Sequence, residues 1–157
     1  MLSVENLHFG YKNNRIITGL SLEAQANELI GVVGPNGSGK TTLLKLMSGV
    51  LKPSHGHIKV NDVDLTTLKA QQRAKLVSVV PQNPQLPLNF KVIDLVLMGR
   101  NPHLGLLQWE SQRDMKIARR AMELTGTLHL ANKAIGTLSG GERQRALIAI
   151  ALVQEAI

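Results

Sequence analysis

The chain has 157 residues, of which 43% are hydrophobic, and it carries a formal net charge of +7. This length and this apolar content are typical of one globular domain with its own core. The absence of cysteine from the 157 residues excludes disulfides and thiolate metal sites. The longest apolar run, 146–153, is far shorter than the roughly 20 residues that span a bilayer. The first residues lack the pattern of a secretory signal, so we expect neither a leader nor a membrane span.

The positive charge is spread along the chain, and one cluster has helical spacing: Arg113, Lys116, Arg119 and Arg120. We interpret this cluster as a solvated helix face rather than a nucleic-acid contact. Aromatic residues make up only 3% of the chain, which also disfavours a platform for stacking bases. We therefore expect no direct nucleic-acid partner. The five histidines lack the spacing of metal ligands, and we expect no metal site built from them.

The first half of the chain begins with two β-type segments, 1–9 and 15–25, joined by the polar turn GYKNNR. The apolar run 28–33, ELIGVV, is typical of a strand buried on both faces. A glycine-rich stretch follows, and apolar residues at helical spacing from Leu43 to Val50 predict a helix after it. Residues 56–65 predict a hairpin or an edge strand.

The second half continues the alternation of strands and helices. Residues 75–82, KLVSVVPQ, predict a second buried strand, which Pro81 closes. Helical patterns cover 92–99, 111–125 and 139–153. This order predicts an α/β domain with a parallel sheet. No linker rich in proline or glycine divides the chain.

A phosphate-binding loop is the first chemical motif, because residues 34–41 fit the pattern G-x-x-x-x-G-K-[ST] between a predicted strand and a predicted helix. Glycines allow positive φ and close approach of backbone N–H groups to phosphate, and the helix directs its positive end at the same charge. Lys40 supplies a mobile cation, and Thr41 offers a hydroxyl ligand to Mg²⁺. The alternative is a glycine-rich turn that caps a helix. The motif predicts a site for a nucleoside triphosphate, and its residues in the loop and helix are Gly34, Pro35, Asn36, Gly37, Ser38, Gly39, Lys40, Thr41 and Thr42.

The second motif, LSGGERQR at 138–145, opens the last predicted helix. Ser139 is the predicted N-cap of this helix. The N–H groups of Gly140 and Gly141 then have no helical acceptor and offer a second anion site. The alternative is an ordinary helix start capped by serine.

These two motifs, in this order, resemble the phosphate loop and the signature sequence of ABC-transporter ATPases. Tyr11, which follows Phe9-Gly10, matches the aromatic residue of that family that stacks on adenine. Gln82, at the end of SVVPQ, matches the glutamine of the family's Q-loop. The resemblance covers the whole chain.

The resemblance implies a P-loop NTPase fold of ABC type, with an antiparallel β subdomain and a helical subdomain. It divides the chain into a core with the β subdomain at 1–82, a helical subdomain at 83–137, and the signature motif with the start of its helix at 138–157. It implies ATP and Mg²⁺ as cofactors, with residues 34–42 at the ATP and Thr41 at the metal. It also implies for Gln82 an accessory catalytic role at Mg²⁺ or the attacking water, and a role in coupling to a membrane partner. A packed surface aromatic at Tyr11 and a polar residue at a strand end at Gln82 are the alternatives.

The resemblance also implies partners. The signature residues, Ser139, Gly140, Gly141 and Glu142, would cover the ATP bound to a second copy, so a homodimer is expected. Permease subunits and an upstream substrate-binding protein would complete an importer, with this subunit peripheral on the cytoplasmic face of the membrane. Residues 92–114 resemble the ATPases of importers for ferric siderophores, haem and cobalamin. We expect Trp109 to make a hydrophobic contact, internal or with a partner.

Family members continue into a further strand that ends in Asp-Glu, and no such strand occurs in this sequence. We therefore expect the chain to be incomplete, to bind Mg-ATP weakly and to hydrolyse it little. Two alternatives remain at this point. One is a truncated nucleotide-binding fragment without hydrolysis or transport activity. The other is a soluble ABC-type ATPase that acts on nucleic acid or ribosomes. Such ATPases typically carry large insertions between the Q-loop and the signature, whereas the interval from Asn83 to Thr137 is compact, which disfavours this alternative.

Overall fold

A computed structural model of the chain describes residues 1–12, 14–82, 84–105 and 107–156. The chain forms two compact units, Met1–Arg73 and Ala74–Ile157. Two ends of predicted segments, Asn83 and Ile157, lie outside the described residues. So do Asn13 of the predicted turn GYKNNR and Leu106 of the segment before Trp109.

The first unit contains a four-stranded antiparallel sheet with the order β2-β1-β3-β4. Its strands are β1 (Leu2–Tyr11), β2 (Asn14–Ala24), β3 (His55–Val60) and β4 (Val63–Asp64). The predicted segments 1–9, 15–25 and 56–65 are therefore confirmed as strands. Asn61 and Asp62 join β3 to β4 with φ values of 48° and 65°, the positive values that a tight hairpin turn requires.

Two helices and a 3₁₀ turn are described besides these strands, and the last residue of the second helix, Ala74, already belongs to the second unit. Helix α1 (Lys40–Met47) follows the phosphate-binding loop as predicted, and it buries Leu43 and Leu46, which lie three residues apart on one face. Helix α2 (Ala70–Ala74) is short, and it was not predicted. A 3₁₀ turn at Leu65–Thr67 starts where the Asp64 carboxylate accepts a hydrogen bond from Thr66 N, 2.8 Å away.

The second unit is helical. Helices α3 (Val92–Leu97), α4 (Gln112–Leu124) and α5 (Gly140–Val153) confirm the three predicted helices to within a few residues. A 3₁₀ helix at Met98–His103 follows α3, and two 3₁₀ turns, Leu128–Leu130 and Ile135–Thr137, lie between α4 and α5. The core is built from fully buried side chains of all three helices and of the turns: Val92, Val96, Ala118, Met122, Leu130, Ile135, Ala149 and Val153.

The two predicted buried strands, 28–33 and 75–82, are wrong for this structure, since neither run is a strand. Leu29 is 97% exposed and Val33 is 93% exposed. The predicted parallel sheet is likewise not found among the described residues, whose one sheet is antiparallel. A strand requires ladder hydrogen bonds to a neighbouring strand. An apolar run has the propensity for such a ladder, but no described strand pairs with either run.

A buried ion pair joins the start of α4 to the end of α5. Arg100, which is 4% exposed, donates from Nε to Asp114 Oδ1 at 2.8 Å and from Nη1 to the Val153 carbonyl at 2.9 Å. Asp114 also completes a capping box with Ser111, the N-cap of α4. One guanidinium group therefore holds both helix ends.

We expect the pair between Arg100 and Asp114 to make the free energy of unfolding depend on pH under acidic conditions. Hydrogen bonds from the Ser111 side chain and backbone, with help from Arg100, lower the pKa of Asp114 from 3.8 to about 2. The folded state therefore gains stability above the unfolded pKa of 3.8 and loses it as the pH falls from about 4 to about 2. Urea unfolding of the wild type and of Asp114→Asn measures the effect. The difference between their free energies of unfolding is expected to shrink across this window, and a constant difference would contradict the assignment.

Candidate nucleotide-binding site

The loop before α1 has the backbone geometry of an anion site. Gly37 and Gly39 have φ values of 82° and 91°, in the left-handed region that glycine adopts without steric cost. Gly39 is the N-cap of α1, where no side chain caps the helix and no acidic residue occupies the first turn. The first N–H groups of α1 and its positive dipole end therefore have no anionic partner within the helix start.

Lys40, the first residue of α1, turns its side chain back over the loop. Its Nζ donates to the carbonyl oxygens of Gly34 and Pro35, each at 2.8 Å. An ammonium group has three N–H donors, so these two bonds leave one donor, and the side chain is only half-buried. Since a phosphate oxygen is a stronger acceptor than a neutral carbonyl, the ammonium group can exchange these bonds for bonds to phosphate.

A cavity of about 620 Å³ lies between this loop and β2, within the size range of small-molecule sites. From the loop it is bordered by Val33, Gly34, Ser38 and Lys40, and from β2 by residues 16–21. Lys40 is the one charged side chain among the described residues that border it. The rest of the lining is largely aliphatic, from Ile16, Ile17, Leu20, Val32, Val33 and Leu43. Lys40 is therefore the group at this cavity that could pair with a phosphate. The predicted residues Asn36, Gly37, Thr41 and Thr42 belong to the loop and α1 but do not border this cavity.

Gly39 packs tightly against β2, since a Cβ at this position would lie 2.9 Å from Cγ2 of Ile16. We expect Gly39→Ala to lower both the stability and the ATP affinity, because the loop must shift. Gly37→Ala is the matched control: its φ is also positive, but an added Cβ would meet no atom within 4 Å. Both variants bear the cost of positive φ, roughly 1–2 kcal/mol. Urea unfolding and calorimetric ATP titration measure the additional loss, and equal losses in both variants would exclude a role for the Ile16 contact.

Tyr11 and Gln82 are the other two predicted site residues, and Tyr11 does not border this cavity. Tyr11 ends β1, is 47% exposed, and packs edge to face on Phe9 with ring centroids 4.9 Å apart. Gln82 is exposed in the second unit, at the end of the run that forms no strand. Their roles at adenine and at the metal stay predictions.

The β2 residues that border the cavity were not predicted as site residues. The pattern of 15–25 predicts a strand but does not show which side of it meets the loop.

A second cavity on the sheet, of about 780 Å³, was not predicted either. It is bordered by His8, Lys12, Arg15 and His55, among others. It shares Ile17 and Thr18 with the loop cavity, but no residue of the phosphate-binding loop borders it. The rings of His8 and His55 contact each other with centroids 5.7 Å apart. No group of three or more potential metal-ligating side chains is found among the described residues.

The signature motif opens α5 with a capping box, which confirms Ser139 as the N-cap. Ser139 Oγ accepts from Glu142 N at 3.3 Å, and the Glu142 carboxylate accepts from Ser139 N and Oγ, each at 2.8 Å. These bonds lower the pKa of Glu142, and the positive charges of Lys133 and Arg145 contribute further. The box does not use the N–H groups of Gly140 and Gly141. A Cβ at Gly140 would meet no atom within 4 Å, so a ligand could approach this turn closely.

Comparison with known proteins identifies the family to which this chain is similar. The model of the ABC transporter family matches residues 17–156. The hemin import ATP-binding protein HmuV of Gloeobacter violaceus is 45% identical over 86% of this chain and 48% of its own length. The ferric enterobactin transport ATP-binding protein FepC of Escherichia coli is 36% identical over 96% of this chain and 56% of its own length.

Solved structures agree with the sequence relatives. A nucleotide-free ATP-binding cassette from an ABC transporter matches with a TM-score of 0.86 and 27% identity, over 99% of this chain and 66% of its own. The chain thus spans about half to two thirds of the length of these relatives. Within the part of the chain that the structure describes, the helices lack the length and the apolar character of a membrane span. The likeness confirms the predicted P-loop fold of ABC type, and the chain belongs to the ABC transporter family.

Proposed function

We propose that the protein containing this chain is the ATP-binding and ATP-hydrolysing subunit of an importer for a metal chelate of the siderophore, haem or cobalamin type. The observation that carries the proposal is the Lys40 side chain folded over an uncapped helix start beside a cavity of about 620 Å³. The names of two relatives support a metal chelate as the transported compound, because one is named for hemin import and the other for ferric enterobactin transport.

In this proposal, the loop binds ATP by its phosphates. Backbone N–H groups of residues 34–41 and the dipole of α1 stabilise the negative charge, and Lys40 binds the β- and γ-phosphates. Thr41 and Gln82 would hold Mg²⁺, since their side chains offer the oxygen ligands that it prefers. When bound, the metal ion neutralises phosphate charge during phosphoryl transfer. Tyr11 would stack on adenine at the exposed end of β1.

The signature residues, Ser139 to Glu142, act on a second copy in this proposal. The open turn at Gly140 and the unused N–H groups beside it suit an anion that arrives from outside the chain. A nucleotide held between two copies would make ATP the link of a homodimer. Permease subunits and a substrate-binding protein would be the further partners, with the ATPase peripheral on the cytoplasmic face of the membrane.

For the 157 residues alone, we propose binding of Mg-ATP with little turnover. No carboxylate borders the cavity among the described residues, and positioned general-base help is worth about 10²–10⁴ in rate. The second candidate function is a truncated nucleotide-binding fragment without hydrolysis or transport activity. Phosphate release measured on the chain and on a version extended by the downstream reading frame tests the expected difference in turnover. Equal rates would contradict the account of the missing carboxylates.

Selectivity among adenine nucleotides tests the proposed binding mode. Calorimetric titration with Mg-ATP, Mg-ADP and AMP is expected to show binding of ATP and ADP but not of AMP, because the loop binds the phosphates beyond the first. Binding of AMP as tight as that of ATP would contradict the proposed binding mode.

A growth assay tests the cellular role. A strain whose gene carries Lys40→Ala is expected to lose growth on a haem or siderophore iron source. Normal growth on every such source would contradict the import function.

A further inference from the structure

Gln154, the C-cap residue of α5, makes long-range hydrogen bonds with both its side chain and its backbone. Its side-chain amide Nε2 donates to the Ala74 carbonyl and, at 3.0 Å, to the Val77 carbonyl. Its own carbonyl accepts from Nε2 of His103 at 2.7 Å. A glutamine amide has two N–H donors, so the side chain commits both of them to the backbone of one other segment.

Ser78 of that segment makes the reverse contact. Its Oγ lies 3.2 Å from the carbonyl of Ala151, in the last turn of α5, and 3.4 Å from Oε1 of Gln154. The last four carbonyls of a helix have no N–H donor within the helix, so the Ser78 hydroxyl supplies a donor to one of them. Residues 74–78 and the end of α5 therefore hold each other in both directions, although they lie 73 to 80 positions apart in the sequence.

A short and stiff link leads from Ser78 to Gln82. Pro81 precedes Gln82, and its ring fixes its own φ near −65° and restricts the residue before it, Val80, to extended conformations. Holding Ser78 against α5 therefore limits the positions that Gln82 can take. Gln82 lies at Mg²⁺ in the function proposed above, and α5 presents the signature turn at its other end. The hydrogen bonds of Gln154 thus join the segment before Gln82 to the helix that carries the signature.

We propose that Gln154 is a positioning residue of the ATPase, which acts by holding the segment before Gln82 against the end of α5. The inference rests on the proposed function and adds to it a residue that touches neither nucleotide nor metal. Gln154 acts through the placement of Gln82. A misplacement of about 1 Å can cost roughly a hundredfold in rate, so the loss of the two amide donors is expected to lower turnover and not only stability.

Gln154→Glu tests the inference, because it keeps the size of the side chain and replaces the amide donors by a carboxylate oxygen. Steady-state ATP hydrolysis is measured on the version of the chain extended by the downstream reading frame. We expect kcat to fall about tenfold, with the KM for ATP within about twofold of the wild type because residues 34–41 are unchanged. Gln112→Glu is the matched control: it makes the same chemical change at the exposed first residue of α4, and kcat is expected to stay within about twofold.

A double-mutant cycle shows whether Gln154 acts through Gln82. Gln82→Ala is expected to lower kcat, and adding Gln154→Glu to it is expected to lower kcat no further. A second loss by the same factor in the double variant, or full kcat in Gln154→Glu alone, would overturn the inference while the proposed function stands. Full kcat in both Lys40→Ala and Gln82→Ala would overturn the proposed function and the inference together. Urea unfolding verifies that each variant folds. If Gln154→Glu does not fold, Ser78→Ala, which removes one hydroxyl group, takes its place in the cycle with the same two outcomes.

Discussion

Replacing Lys40 with alanine is expected to weaken ATP binding about tenfold to a hundredfold, because a hydrogen bond to a charged group contributes roughly 1.5–3 kcal/mol. The Lys40 ammonium group reaches the Gly34 and Pro35 carbonyls at 2.8 Å, so it already lies over the loop that would hold the phosphates. Removing it leaves the loop with backbone donors and the helix dipole alone. Isothermal titration with Mg-ATP measures the change in Kd.

Lys45→Ala is the matched control for this experiment. Lys45 lies in the last turn of α1 and is exposed, so its loss removes the same charge without touching the loop. Its Kd is expected to stay within about twofold of the wild type, since a distant exposed charge is screened by salt. Equal effects of the two variants would mean that overall charge, and not the loop, determines the affinity.

Replacing Arg100 with alanine is expected to destabilise the second unit by about 3–5 kcal/mol, the usual cost of removing one partner of a buried ion pair. The change leaves the Asp114 carboxylate without its cation and the Val153 carbonyl without its donor. Free energies of unfolding from urea titration measure the loss. A loss of less than about 1 kcal/mol would contradict this account, because that is the value of an exposed pair.

Two further variants make this test specific. Arg120→Ala removes an exposed partner of Glu123, 3.3 Å away, and is expected to cost at most about 1 kcal/mol. The double change Arg100→Met with Asp114→Leu replaces the pair by apolar side chains of similar size. It is expected to be more stable than Arg100→Ala, because no buried charge is left without a partner.

The ion pair also bears on the proposed function. Helix α5 carries the signature motif at its start, and its last residue, Val153, is the one whose carbonyl Arg100 holds. His103 makes a second contact there, from Nε2 to the Gln154 carbonyl at 2.7 Å. The residues between α3 and α4 therefore fix the far end of the helix that presents Ser139.

The helices could be predicted from the sequence because their signals are local. Ser111 with Asp114 and Ser139 with Glu142 are capping boxes whose partners lie three residues apart. The apolar runs 28–33 and 75–82 were predicted as strands and are not strands. Both runs are apolar in composition, but a strand depends on a neighbour that local composition does not specify.

The candidate site was predictable to the same extent. The loop 34–41 is a continuous motif, and in the structure Gly37 and Gly39 have positive φ while Lys40 Nζ donates to the Gly34 and Pro35 carbonyls. The contact of Ile16 with Gly39 and the pair between Arg100 and Asp114 join residues that are distant in sequence, and no local pattern indicates them. The exposure of Trp109, which is 87%, is of the same kind, because composition does not show whether an aromatic residue packs inside or faces water.

The central claim is that backbone amides of residues 34–41 bind the phosphates of ATP. The most direct test is a ¹H–¹⁵N NMR titration of the chain with Mg-ATP, followed amide by amide. We expect the largest shifts at Gly34 to Thr41 and smaller shifts along the part of β2 that borders the cavity, all of them lost in Lys40→Ala. Saturating nucleotide that leaves the amides of 34–41 unmoved, or that shifts residues elsewhere instead, would contradict the account.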